Sequence, residues 1–127
     1  MLDLDVEPRN PIVGTRSFGP DPEAVAALGR AWIETCQAEG VAACAKHFPG
    51  HGRTTADSHA ELPVVKASRE ALEADLAPFR AVAAEVALMM SAHVAYPALG
   101  GSGPATLEPS ILRDMLREEM GFSGLVV

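Results

Sequence analysis

The sequence is short of basic residues, and this limits the partners that the chain could have. Ten lysines and arginines stand against 17 aspartates and glutamates, so the net charge is −7 at pH 7. A protein that binds the phosphate backbone needs a basic surface, and we therefore expect no nucleic-acid partner. Long apolar runs are also missing, and none approaches the roughly 20 residues that cross a bilayer.

Export signals and cysteine motifs are absent too. Residues 1–5 lack the basic start and the apolar core of a signal peptide. Cys36 and Cys44 have no spacing typical of a metal or redox site, and we predict two buried, reduced thiols. These features favour the cytoplasm, although an export signal ahead of Met1 would change that expectation.

Apolar residues make up 48% of the chain, which is enough for a packed core. Asp21 and Ser68 are good N-caps, and Pro22 and Pro109 suit the first turn of a helix. We predict strands at 2–6, 41–45 and 86–94, and a further strand from 125. The helices between them have predicted apolar faces, formed by Val25, Leu28, Trp32 and Cys36, then Leu72, Leu76, Phe79 and Val82, then Ile111, Leu112, Met115 and Leu116.

This order is typical of the α/β class, in which a parallel sheet is joined by helical crossovers. A doubly wound sheet and part of a (β/α)8 barrel both fit. Barrel enzymes place their sites after the strands, and Arg16, Lys46, His47 and His93 all follow or end predicted strands. We therefore predict a partial (β/α)8 TIM barrel, with about three βα units and the start of a further strand. We expect residues 1–127 to be the central part of one barrel domain, truncated at both ends.

The loop from about residue 46 to about 67 is the candidate site. Three of the four histidines fall between His47 and His59, and Pro49, Gly50 and Gly52 mark the backbone as irregular. Titratable groups on a long irregular loop usually indicate chemistry, because loops carry sites while regular elements carry packing.

Two pairs of residues in this loop have a chemical interpretation. Asp57 lies two residues before His59, so its carboxylate could hydrogen-bond one ring nitrogen and leave the other for acid and base work. The alternative is an exposed Asp and His with no shared task. Lys46 and His47 end a strand, where side chains alternate, so at least one should face the site. Lys46 could instead simply reach solvent.

The histidines allow two further interpretations. His47, His51, Asp57 and His59 are suitable metal ligands, but their spacings match no zinc pattern and the glycines favour a tight turn. His93 could line the site or be a satisfied histidine at a strand end.

Four segments of the sequence read NPIVGTRSFGPDPEAVA, KHFPGHGRTTADSH, MMSAHVAYPAL and PATLEPSILRDMLREEMGFSGLVV. Together they resemble the catalytic domain of bacterial β-N-acetylglucosaminidases (β-N-acetylhexosaminidases) of glycoside hydrolase family 3. The loop segment is the most specific of them, and the resemblance covers essentially all 127 residues in order.

The resemblance implies retaining hydrolysis of terminal β-linked N-acetylglucosamine, from peptidoglycan fragments in cell-wall recycling. His59 would then be the acid/base and Asp57 its partner, while Arg16, Lys46 and His47 would contact the sugar. The expected partner is a small carbohydrate, such as a β-N-acetylglucosaminide or a disaccharide derived from a muropeptide. We expect neither a cofactor nor a metal.

The family also implies an aspartate nucleophile, which is expected just beyond the strand that residue 127 interrupts. Asp114 lies on the third helix and does not replace it, and Asp3 and Asp5 receive no role. The isolated 127 residues are therefore expected to be inactive. Two other functions remain open, namely a β-N-acetylglucosaminide phosphorylase, in which phosphate replaces water, and a non-catalytic carbohydrate-binding protein.

Overall fold

The computed structural model describes residues 1–127 and shows helices and strands in alternation. Three single 3₁₀ turns, Gly14–Arg16, Pro97–Leu99 and Ala105–Leu107, lie in the connections. None of the helices has the length and apolar character needed to cross a membrane. The main elements are α1 (Pro22–Ala38), β1 (Cys44–Phe48), α2 (Arg69–Val82), β2 (Leu88–Ser91), α3 (Ser110–Glu119, with π-type hydrogen bonding) and β3 (Leu125–Val126).

The three strands form one parallel sheet in the order β1-β2-β3. Cys44 pairs with Leu88, and Leu88 pairs in turn with Leu125. Each pair of neighbouring strands is joined through a helix, as the predicted order requires. Because all three strands run the same way, their carboxyl ends meet at one edge of the sheet, and this edge carries the candidate site.

The predicted first strand, residues 2–6, is wrong. Leu2 donates its backbone N–H to the Lys46 carbonyl at 2.8 Å, but no ladder of backbone pairs follows along β1. A strand needs such repeated pairs, and here the next backbone N–H of β1, that of His47, is bound by the Asp3 carboxylate instead. Leu2 and Leu4 are nevertheless buried, so the segment packs where a strand was expected.

The apolar face of α1 also differs from the predicted one. The buried positions are Val25, Gly29 and Ile33, whereas Leu28 and Trp32 are 49% and 66% exposed. The reason is close packing at Gly29, where an added Cβ would lie 2.3 Å from the Leu2 side chain. The helix thus presents its small residue to the N-terminal segment, and the predicted stripe is rotated partly into solvent.

The other helices agree well with the sequence. The Ser68 hydroxyl caps α2 by accepting the Ala71 N–H at 3.2 Å, and all four predicted apolar residues of α2 are buried. In α3, Leu112 is half-buried against the core, and the other three predicted residues are buried. Gly40 and Gly121 follow α1 and α3 with φ of 77° and 72°, the left-handed conformation that glycine favours after a helix.

The strands are offset from their predicted positions. β1 begins three residues later than expected and therefore contains Lys46 and His47, while β2 is shorter than the predicted 86–94. Ala45 and Phe48 supply the buried side of β1. Cys44 is exposed and Cys36 half-buried, with both thiols free, so the prediction of two buried thiols is wrong for Cys44.

Candidate active site

A polar pocket of about 320 Å³ lies at the carboxyl ends of β1 and β2. Four of the five expected site residues line it, namely Arg16, Lys46, His47 and His59. The fifth, Asp57, is hydrogen-bonded to His59. The structure therefore brings together residues that are as far as 43 positions apart in the chain. Ile12, His51, Ser58, Met90, Ser91 and His93 complete the lining.

Lys46 and His47 both line this pocket, although neighbouring side chains of a regular strand face opposite sides. The pairing of β1 with β2 shifts register between Lys46 and Phe48. An irregularity of this kind places an extra residue in one strand and re-aims its side chains. The sequence-based expectation that at least one of the two faces the site is met, and the shift explains why both do.

Asp57 and His59 form the predicted pair. The Asp57 Oδ1 atom lies 2.8 Å from His59 Nδ1 and also accepts the His59 backbone N–H at 2.8 Å. These two hydrogen bonds lower the pKa of the Asp57 carboxyl, so it remains ionised as a partner for the ring. The His59 side chain is 83% exposed, which leaves Nε2 accessible to a ligand in the pocket.

His51 is a buried member of the site whose role the sequence did not indicate. Its Nδ1 lies 2.8 Å from the Thr54 hydroxyl, and its Nε2 lies 3.0 Å from the Ser58 hydroxyl. Ser58 stands between Asp57 and His59, so this contact ties the exposed pair to the buried base of the loop. Burial lowers the pKa of the His51 ring, which favours the neutral form between the two hydroxyls.

This burial has a consequence for the pH dependence of stability. The unfolded chain takes up a proton at His51 near pH ~6.5, whereas the folded chain does so only at lower pH. Between these two values the unfolded state binds more protons, so the free energy of unfolding should fall as the pH falls. We expect urea midpoints at about pH 7.5 and about pH 5.5 to show this loss, and His51→Asn to reduce it.

The matched control for that prediction is His93→Asn, because His93 is an exposed histidine of the same pocket. This variant should retain the full loss of stability between the two pH values. A His51→Asn variant with the same pH dependence as the wild-type chain would contradict the prediction.

Asp3 is a second residue of the site whose role the sequence did not indicate. Its side chain is completely buried, and it accepts the His51 backbone N–H at 2.7 Å and approaches His47 Nδ1 at 2.8 Å. The available signal was an acid placed between Leu2 and Leu4 in an apolar segment. A carboxylate in such a position requires hydrogen-bond donors, and the sequence does not show where they come from.

The early part of the loop is anchored to the core. The Arg53 guanidinium lies 2.5 Å from the buried Asp75 carboxylate of α2 and donates to the Ala71 carbonyl. Burial raises the pKa of Asp75, and Arg53 opposes that shift. The buried Tyr96 hydroxyl donates to the Gly50 carbonyl at 2.8 Å. These contacts anchor the loop near residues 50–53, whereas the side chains of Asp57 and His59 are largely exposed to solvent.

A second cavity of about 320 Å³ lies between α1 and the start of β1. Its lining is mostly apolar and includes Trp32, Ile33 and Cys44, with Arg16 as its only charged side chain. It holds no pair of acid and base groups. The polar pocket is therefore the better candidate for chemistry.

The residues considered as metal ligands do not converge. His51 is occupied by Thr54 and Ser58, and His59 by Asp57. No group of three His, Cys, Asp or Glu side chains in residues 1–127 is arranged to hold a metal ion. The sequence allowed His93 either to line the site or to be a satisfied histidine at a strand end. In the structure His93 is exposed and lines the pocket.

Comparison with known proteins identifies close relatives. A β-hexosaminidase from Thiobacillus denitrificans is 44% identical over 128 residues, which is 99% of this chain and 35% of the relative. A family 3 β-N-acetylglucosaminidase structure from Paenibacillus is 46% identical with a TM-score of 0.95, covering 98% of this chain and 24% of that one. NagZ from Neisseria gonorrhoeae in complex with N-trifluoroacetyl-D-glucosamine is 43% identical with a TM-score of 0.89, covering 98% and 37%.

The chain thus spans between about a quarter and just over a third of the length of these relatives. The structural match confirms the predicted fold class, and the chain carries part of a (β/α)8 barrel. The glycosyl hydrolase family 3 N-terminal domain matches residues 1–127 throughout. The chain therefore belongs to glycosyl hydrolase family 3, as part of its N-terminal domain.

Proposed function

We propose that this chain forms part of the active site of a retaining glycosidase that releases terminal β-linked N-acetylglucosamine. The observation that carries the proposal is the Asp57–His59 pair beside a pocket lined by Arg16, Lys46 and His47. Relatives named β-hexosaminidase and a relative solved with a glucosamine derivative support the same substrate class.

The proposed roles follow from the geometry of the pair. Asp57 is ionised and bound to Nδ1 of His59, so it stabilises the ring as a cation while Nε2 carries the proton for the leaving oxygen. After the sugar is transferred to the enzyme, the same nitrogen accepts a proton from water. The ammonium of Lys46 and the guanidinium of Arg16 are donors for sugar oxygens, and the His47 ring supplies a third polar contact.

The nucleophile is proposed to come from outside residues 1–127. Retaining glycosidases need a second group that attacks the anomeric carbon, and none of the ten residues that line the pocket is a carboxylic acid. Asp57 is engaged with His59, and Asp3 is completely buried. We therefore propose that residues 1–127 are one part of a barrel domain and do not hydrolyse glycosides alone.

We further propose that the substrates are disaccharides and related fragments released from peptidoglycan during cell-wall recycling, and that the enzyme works in the cytoplasm. The pocket volume of about 320 Å³ suits a small carbohydrate ligand. The two free thiols are compatible with a reducing compartment.

Phosphorolysis is a second candidate, and one observation favours it. The pocket contains Arg16 and Lys46 and has no carboxylate among its lining residues, so an anionic acceptor such as phosphate meets little repulsion. A histidine acid/base repels phosphate less than a glutamate would. In that case phosphate takes the place of water, and N-acetylglucosamine 1-phosphate is the product.

One assay separates these functions. A polypeptide that joins residues 1–127 to the rest of the barrel is given a β-N-acetylglucosaminide, and NMR follows the configuration and phosphorylation of the first product. Release of the β-anomer at a rate independent of phosphate supports retaining hydrolysis. A sugar phosphate supports phosphorolysis, and absence of turnover with retained sugar binding supports the non-catalytic alternative.

A further inference from the structure

Asp3 connects the sugar-binding end of β1 to the beginning of the histidine loop. One carboxylate oxygen accepts the His51 backbone N–H at 2.7 Å, and the His47 backbone N–H lies 3.1 Å from both oxygens. The second oxygen lies 2.8 Å from Nδ1 of the His47 ring. The side chain is fully buried, so all of its donors come from these two residues.

The hydrogen bonds that Asp3 accepts decide where the proton between Asp3 and His47 lies. The backbone N–H groups already donate to both oxygens, so only the contact with the ring could hold a carboxylic acid proton. Hydrogen bonds of this kind favour the ionised carboxylate, which has no proton to donate, so the proton in the 2.8 Å contact belongs to the ring. His47 is then protonated at Nδ1.

The other ring nitrogen of His47 is the one that a ligand meets. Nδ1 makes the only side-chain hydrogen bond of His47. Nε2 therefore has no partner within the chain, and it is not buried. The ring lines the pocket, and its side chain is 16% exposed. With Nδ1 turned toward the buried carboxylate, the accessible edge of the ring is the edge that carries Nε2.

We propose that Asp3 is a positioning residue that holds His47 as the Nδ1–H tautomer, so that neutral His47 presents a hydrogen-bond acceptor to the sugar. This inference rests on the proposed function, in which His47 contacts N-acetylglucosamine. Lys46, on the same strand, offers only donors. The strand end therefore offers a donor and an acceptor side by side, and a sugar hydroxyl satisfies both because it accepts and donates.

The test begins with Asp3→Asn, which keeps the size of the side chain. The carboxamide oxygen still accepts backbone N–H groups, but its NH₂ group donates to the ring and should move the ring proton to Nε2. Nitrogen-15 NMR of the ring at alkaline pH reports the tautomer without any ligand. Asp5→Asn is the matched control, because Asp5 is an exposed aspartate two residues away.

The functional measurement is a titration with N-acetylglucosamine of the polypeptide that joins residues 1–127 to the rest of the barrel. It compares the wild-type form, Asp3→Asn, His47→Gln and the double variant. We expect Asp3→Asn to weaken binding about tenfold, as for one mismatched hydrogen bond, and Asp5→Asn to leave it unchanged. In the His47→Gln background, Asp3→Asn should cause no further loss, because Asp3 acts through His47.

The other possible results contradict either this inference or the proposed function. An Nε2–H tautomer in the wild-type chain overturns the inference, and so does an Asp3→Asn variant that keeps the Nδ1–H tautomer or the wild-type affinity. An equal loss of affinity with and without His47 also overturns it, since that marks a purely structural role. A wild-type polypeptide with the complete barrel and the expected tautomer that does not bind N-acetylglucosamine contradicts the proposed function and leaves the tautomer assignment supported.

Discussion

Replacing His59 with alanine is expected to lower kcat for a β-N-acetylglucosaminide with a poor leaving group by about 10² to 10⁴-fold, the usual contribution of a positioned acid or base. The loss should be large because the Asp57–His59 pair is the only exposed carboxylate–imidazole pair beside the pocket. The measurement requires a polypeptide that supplies the nucleophile together with residues 1–127.

The loss of kcat in His59→Ala should depend on the leaving group, and this dependence shows whether protonation of the leaving oxygen is the step that is lost. An activated phenol leaves without protonation, so its release should be much less sensitive to His59→Ala than release of a sugar alcohol. Asp57→Asn should also lower kcat, because it removes the charge that stabilises the protonated ring.

Glu61→Gln is the matched control, since Glu61 is an exposed acid of the same loop, and its kcat should be close to that of the wild-type enzyme. Equal turnover of the poor leaving group by His59→Ala and the wild-type enzyme would show that His59 is not the acid.

Replacing Gly52 with alanine is expected to lower the free energy of unfolding by about 3 kcal/mol, the upper part of the range for overpacked sites. A Cβ at residue 52 would lie 2.0 Å from the Leu4 carbonyl oxygen and 3.0 Å from its carbon. These are backbone atoms that no rotamer change can move aside. The N-terminal segment would have to shift, and Asp3 lies within that segment, so binding of N-acetylglucosamine should weaken as well.

Urea unfolding of Gly52→Ala and Gly103→Ala provides the comparison. At Gly103 the nearest atom to an added Cβ is the Glu108 Oε1 atom at 3.4 Å, which belongs to a flexible side chain. We expect a change of about 0.5 kcal/mol or less there, as for most surface substitutions. A Gly52→Ala variant as stable as Gly103→Ala would mean that the N-terminal segment does not lie against the loop.

Features that depend on residues close together in the chain were predictable from the sequence. Helix starts at Asp21 and Ser68 were predictable because an N-cap side chain bonds its own first turn. The Asp57–His59 pair was predictable for a similar reason, since two residues on a turning backbone are already within reach. The order of helices and strands followed from the period of the apolar residues, and four segments carried the family resemblance.

Features that depend on residues far apart in the chain became visible only in the folded structure. Packing of Leu2 against Gly29 decides which face of α1 is buried, although Leu28 and Trp32 have larger apolar side chains. Asp3 joins His47 and His51 across 44 and 48 positions, and the register shift in β1 turns both Lys46 and His47 to one pocket. Periodicity in the sequence shows how apolar each face of a helix is. It does not show which residue will bury that face or which donors will bind a buried carboxylate, because those partners meet only when the chain folds.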